Sequence, residues 1–148
     1  MIDVARRIAR VRLPEWPGVL MTLLLAAIVE LGLRVVRLPR LAQLLGVPLA
    51  RSADAARLPP SSELRLPTCA RRRLAFTSRV MKHWPCGDTC LRVALVAGAR
   101  IRRLRPELVI GVAVVDGEVK AHAWLTIDGI SIDPGGSPSF AVLTPMAQ

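Results

Sequence analysis

Apolar and polar positions divide the chain into a few long stretches. Residues 1–17 are basic and carry prolines at 14 and 17. From Gly18 to Leu38 the chain is strongly apolar, interrupted by Glu30, Arg34 and Arg37. The uncharged run Gly18–Val29 has 12 residues, whereas a membrane-spanning helix needs about 20. A buried or interfacial helix over roughly 18–37 is therefore expected, stopped by Pro39. A short helix should follow to about Leu45, with Gly46 as its stop. Residues 47–66 contain Pro48, Pro59-Pro60 and Ser61-Ser62, which reads as a linker or loose loop.

Beyond Pro67 the periodicity sharpens. Ala70, Leu74, Thr77, Met81 and Trp84 recur at three- and four-residue steps, and Arg71, Arg72, Arg73 and Arg79 fall mostly outside that stripe. This predicts an amphipathic helix ending before Pro85. A second helix should begin near Thr89, capped by Asp88 or Thr89, with Leu91, Ala94, Leu95 and Gly98 on its inner face and an end near Arg103. The remainder predicts a meander of three strands: Leu108–Val115, Val119–Ile127 and Ile130–Asp133. The Asp116-Gly117 and Asp128-Gly129 pairs between these runs are two-residue hairpin signals.

The turns also fix a register. With Asp128-Gly129 as the turn, Ile127 pairs with Ile130, Trp124 with Asp133, and His122 with Gly135. Side chains alternate faces along a strand, so His122, Trp124 and Asp133 share one face. His122 and Asp133 are then diagonal neighbours about 7–8 Å apart at the backbone. The Asp116-Gly117 turn sets Gly111 opposite His122 and leaves space beside the imidazole.

Composition narrows the class. The 148 residues allow one compact domain, or a small domain with an accessory segment, and 52% of them are hydrophobic, enough for a core. Aromatic residues make up only 3% and Tyr is absent, so base-stacking nucleic-acid modules fit poorly. The net charge of +10 is uneven. Residues 1–105 carry 20 basic and 6 acidic side chains, while residues 106–148 carry 1 and 5. A basic half of this kind suits an acidic partner or an anionic membrane, or is a solvated surface.

Three cysteines, Cys69, Cys86 and Cys90, cannot pair fully, and Pro14, Glu15 and Pro17 separate the basic amino terminus from the apolar run. No secretory signal is read, and a reducing cytoplasmic setting is expected. His83, Cys86 and Cys90 lack a local fourth ligand, so a zinc site is not expected.

Cys90, His122 and Asp133 stand out as candidate chemistry. A cysteine in the first turn of a helix gains from the helix dipole and the free N–H groups there, and the thiolate is the nucleophile. An imidazole can balance the thiol proton, and a carboxylate can hold the ring in one tautomer. Taken singly, each has a plainer use: a buried thiol, a half-buried strand histidine and a turn aspartate. His83 is the alternative base and has no evident carboxylate partner nearby.

A cysteine at a helix start, a histidine in an Ala121-His122-Ala123-Trp124-Leu125 strand and an aspartate on the next strand resemble transglutaminase-like cysteine peptidases. More narrowly, Cys90-Leu91-Arg92 with Ala94-Leu95, Val109-Ile110-Gly111-Val112, Asp128-Gly129, Ile132-Asp133-Pro134, Phe140 and Leu143 are similar to the stand-alone leader peptidases of lasso peptide biosynthesis. The apolar, Leu- and Arg-rich amino-terminal segment is similar as well. Residues 47–66 carry no resemblance.

The resemblance implies an α+β fold in which the helix bearing Cys90 packs on an antiparallel sheet. A peptidase domain over residues 67–148 would be preceded by a helical, basic and apolar segment with a linker over 1–66. It implies Cys90 as nucleophile, His122 as base and Asp133 as orienting acid, with no metal or organic cofactor. The expected partners are a precursor peptide, a separate leader-binding protein and an ATP-dependent cyclase. The expected place is the cytoplasm, with peripheral contact to the inner face of the membrane as an option. Two alternatives remain open: a transglutaminase-like acyltransferase acting on another peptide, and a non-enzymatic basic adaptor for a membrane surface or nucleic acid.

Overall fold

The computed structural model describes residues 16–50, 66–115, 118–132 and 141–142. Helix α1 runs over Trp16–Val35, in a stretch rich in leucine and alanine, which lose little on entering a helix. It ends slightly earlier than expected. Arg37 takes an extended backbone (φ −62°, ψ 136°) and becomes the N-cap of α2, Leu38–Leu44. Pro39 therefore opens a helix as well as following one, because a first-turn proline sacrifices no intrahelical hydrogen bond. Helix α2 stops at Gly46, whose positive φ of 74° is the conformation glycine adopts without strain.

The segment expected to be loose from residue 47 onward is anchored at its start. Val47 is fully buried and Ala50 nearly so. Leu108 N–H donates to the Pro48 carbonyl at 2.8 Å, and Ala50 N–H donates to the Leu108 carbonyl at 2.9 Å. Leu49 thus forms a parallel bridge with Leu108. The polar, proline-rich part that motivated the expectation, residues 51–65, lies outside the described residues, as do the boundary residues just before 66.

Helix α3 spans Thr68–Met81 and α4 spans Cys90–Arg100. The predicted stripe of α3 faces inward: Ala70, Thr77 and Met81 are buried, and Leu74 and Trp84 pack on the core. On α4, Ala94, Leu95, Val96, Ala97 and Gly98 are buried. A 3-10 turn, Arg102–Leu104, follows in place of the last predicted helical residues. Helix α4 contacts α1, α3 and the sheet, which makes it the central helix. Its inner side chains lie in one core with Ala26 and Val29 of α1, Leu41 of α2, Met81 of α3, and Leu108 and Leu125 of the sheet.

The sheet is antiparallel with spatial order β3-β2-β1-β4. Its strands are β1 Glu107–Val115, β2 Glu118–Ile127, β3 Ile130–Ser131 and β4 Ala141–Val142. The predicted register is found: Gly111 pairs with His122, and Ile127 with Ile130. Asp128 and Gly129 both have positive φ, 51° and 77°, as a type I′ turn requires. The first turn, Asp116-Gly117, and Asp133 lie outside the described residues. Strand β4 was not foreseen; it pairs with Gly111 and Val112 on the free side of β1. Helices packed against an antiparallel sheet make this an α+β fold.

Candidate active site

The start of α4 is set by the chain around it. Gly87, at a positive φ of 86°, and the turn closed by its N–H to the Trp84 carbonyl (3.1 Å) bring the backbone back after α3. Thr89 is the N-cap, but its side chain caps nothing. Instead Thr89 Oγ1 accepts a hydrogen bond from Arg92 Nη1 at 3.2 Å. Asp88, the other expected cap, is exposed. The first N–H groups of α4 thus carry no side-chain cap, and Cys90 sits among them, where helix geometry leaves backbone donors free.

Arg92 extends this arrangement across the core. Its Nε donates to Glu30 Oε2 at 2.8 Å. Glu30 is only 13% exposed and also receives Arg34 Nη2 at 3.0 Å. The hydrogen bond from Arg92 is the largest of the influences that hold the Glu30 carboxyl below its ordinary range. A chain of charge-assisted contacts therefore ties α1 to the turn that carries Cys90.

His122 reaches the site from β2. It is half-buried, and its ring stacks on Trp124 two residues along the same face, with centroids 5.8 Å apart and planes 21° apart. Trp124 is 3% exposed, so this platform is fixed. Leu125, on the other face, packs toward α4 beneath Gly98.

Cys90 and His122 line the same cavity, about 500 Å³ in volume. Helix α3 contributes Arg71, Leu74 and Ser78 to the cavity, and the loop before α4 contributes Asp88. Consecutive residues 122–125 all border it, so the cavity runs along the strand rather than over one face. Ile132 also lines it, and the chain continues from there into Asp133, which lies outside the described residues. A half-open, mostly apolar cleft with a thiol, an imidazole and a few polar groups has the form of a substrate site for nucleophilic chemistry.

The other sulfur and imidazole groups are elsewhere. Cys86 and His83 are exposed and do not border this cavity, and Cys69 lines a different one. Among the described residues no three His, Cys, Asp or Glu side chains gather as metal ligands. Arg71 and Ser78 were not foreseen as cavity residues; Arg71 was expected on the polar side of α3, yet it borders the cleft together with Leu74.

Comparison with known proteins identifies the family but not the site residues. No curated protein and no solved structure matches the chain. The Transglutaminase-like superfamily matches residues 27–147. That span starts within α1 and takes in α2, α3, the helix of Cys90 and the strand of His122, and the chain belongs to the transglutaminase-like superfamily.

Proposed function

We propose that the protein is a cysteine peptidase that removes the leader from a ribosomally made lasso peptide precursor, together with a separate leader-binding protein and an ATP-dependent cyclase. The observation that carries the enzymatic part is the cavity shared by Cys90, at the start of α4, and His122, on β2. Membership of the superfamily supports acyl-transfer chemistry. The resemblance of the Cys90-Leu91-Arg92 and Ala121–Leu125 blocks supports the leader-peptidase assignment.

In this reading the Cys90 thiolate attacks the scissile carbonyl carbon and forms a C–S bond. Free N–H groups at the start of α4, that of Cys90 first, stabilise the oxyanion. The C–N bond then breaks, and His122 gives its proton to the leaving amine, the new amino terminus of the core peptide. Water attacks the thioester, His122 takes the water proton, and the leader leaves as a carboxylic acid while the thiolate is regenerated. Asp133 is assigned the orienting role toward His122 on the resemblance to transglutaminase-like peptidases and on the register expected from the Asp128-Gly129 turn.

The test is mass spectrometry of a candidate precursor incubated with this protein and the leader-binding protein, with and without a small primary amine. Free leader acid and core peptide are expected in both cases. A leader amide formed from the added amine would instead favour acyl transfer to amines. Cys90→Ala should abolish cleavage while circular dichroism stays unchanged, whereas Cys69→Ala and Cys86→Ala should retain most activity. Cleavage by Cys90→Ala near the wild-type rate would refute the thiol mechanism.

A further inference from the structure

Two features away from the active-site cavity adjoin each other. The first is the outward face of α1. Leu20, Met21, Leu24, Ile28, Leu31 and Val35 lie on it, between 45% and 71% exposed. They recur at three- and four-residue steps and form a continuous aliphatic stripe along a helix about 30 Å long. Helix α1 is long and apolar enough to cross a membrane by length and composition. However, Val19, Thr22, Ala26 and Val29 on its other side are buried, two of them in the core that α4 also builds. A helix held to its domain along one side can lie in a bilayer surface but not pass through the bilayer. The one carboxylate on α1, Glu30, is turned inward and bound by Arg34 and Arg92.

The second feature is a cleft of about 540 Å³ that meets α1 at Gly18 and is lined otherwise by Thr68, Cys69, Arg72, Arg73, Phe76 and Arg100. No acidic side chain is among its lining residues. Arg73 Nη1 donates to the Arg100 carbonyl at 3.1 Å, which sets two guanidinium-bearing residues side by side. Arg100 Nε is buried and has no hydrogen-bond partner among the described residues. Burial and the Arg73 charge push Arg100 below its ordinary range. The first turn of α3 has no side-chain cap, so backbone donors add to the same positive field. At the other end of α1, Arg34, Arg37 and Arg40 are exposed.

We infer that the outward face of α1 and the adjoining arginine cleft together form a docking surface for an anionic lipid bilayer. The aliphatic stripe would sit at the boundary of headgroups and acyl chains, and the cleft would take a lipid phosphate. Guanidinium forks match phosphate oxygens in pairs. Charge complementarity favours this occupant: cations flank both ends of the stripe, and the chain carries +10 overall. A protein partner fits less well, because protein interfaces concentrate aromatic anchors, whereas the stripe itself is aliphatic and its aromatic neighbours are Trp16, 37% exposed, and the half-buried Phe76 in the cleft.

Co-sedimentation of the full-length protein with vesicles tests the proposal. Binding is expected to vesicles of phosphatidylglycerol mixed with phosphatidylcholine, much less to pure phosphatidylcholine, and to weaken as salt rises. Leu24→Ser/Leu31→Ser should lose at least about tenfold in binding, since each exposed leucine would otherwise be buried in lipid. Arg72→Gln/Arg73→Gln should lose about fivefold per cation removed. Circular dichroism and retained precursor cleavage will show that these surface variants are folded. Equal binding to neutral and anionic vesicles, or no loss in the leucine variant, would overturn the proposal. So would binding of inorganic phosphate to the cleft without any vesicle binding. A concentration-dependent dimer, or a complex with the leader-binding protein, that is lost in Leu24→Ser/Leu31→Ser while vesicles are ignored would assign the stripe to a protein partner instead.

Discussion

At the scale of single residues, the positions of Cys90 at a helix start and of His122 on a strand were legible because each depends on local signals. The start of the helical periodicity after Thr89 places the thiol even though no side chain caps that turn, and a two-residue turn fixes which strand positions share a face. Arg71 and Ser78 were not legible, because their place in the cavity depends on how α3 rotates against α4. His122→Ala should reduce leader cleavage at least about a hundredfold, the low end of what a positioned acid–base group supplies. Asp133→Asn should lose less, since an amide can still hold the ring but cannot balance an imidazolium. Single-turnover kinetics will measure both; near-normal turnover in His122→Ala would remove it from the mechanism. The Glu30–Arg92–Thr89 chain makes a separate prediction. Because Arg92 lowers the Glu30 carboxyl below its ordinary value, the contribution of this contact is complete above the unfolded-state carboxylate range and is lost as pH falls through the lowered folded-state value. Glu30→Gln should therefore melt at a lower temperature than wild type at pH 7, and the gap should close toward strongly acidic pH. A gap that persists unchanged to acid would mean that the carboxylate charge is not what holds α1 to α4.

At the scale of elements, the helices and the main hairpin followed from periodicity and from the two Asp-Gly pairs, since both act through near neighbours in sequence. Strand β4 did not. Two residues give no alternation, and their pairing with Gly111 and Val112 spans some thirty positions of chain. The anchoring of residues 47–50 escaped for the same reason: its hydrogen bonds run to Leu108. Val47 also stands at a tight contact between elements. A Cβ added at Gly98 would stand 2.7 and 2.8 Å from the two Val47 methyl groups and 3.2 Å from Leu125 Cδ2. Val47 is β-branched and fully buried, so it cannot swing away. Gly98→Ala gains about 1 kcal/mol of helix propensity, yet overpacking of this kind costs about 1–3 kcal/mol. A net loss of stability is expected in urea unfolding. Adding Val47→Ala should recover part of the overpacking, giving a double variant more stable than the sum of the two single losses. Strict additivity would show that the two positions do not press on each other.

At the scale of the whole molecule, the active-site cavity of about 500 Å³ is the size of a small-molecule site. It can hold the residues flanking a scissile bond but not the length of a leader. Helices α1 and α2 bury their inner faces in the same core as α4, so the described amino-terminal residues do not form a separately folded module. Under the proposed function, recognition of the leader should come from a separate leader-binding protein, which would raise the effective concentration of the precursor at Cys90. Cleavage by this protein alone is accordingly expected to be slow and to rise at least about a hundredfold when that partner is added, within the usual range of tethering gains. Residues 1–105 carry a large excess of cations, so docking of an acidic partner or leader on that half should weaken as salt screens the charges. Initial rates with purified precursor, with and without the partner and across a salt series, will separate these contributions. The catalytic step should respond little to salt in single-turnover experiments at saturating partner, while the partner concentration needed for half-maximal rate should climb. Full activity without the partner would refute the division of labour. Stimulation that ignores salt would take the basic surface out of recognition and leave the Cys90–His122 chemistry as it stands.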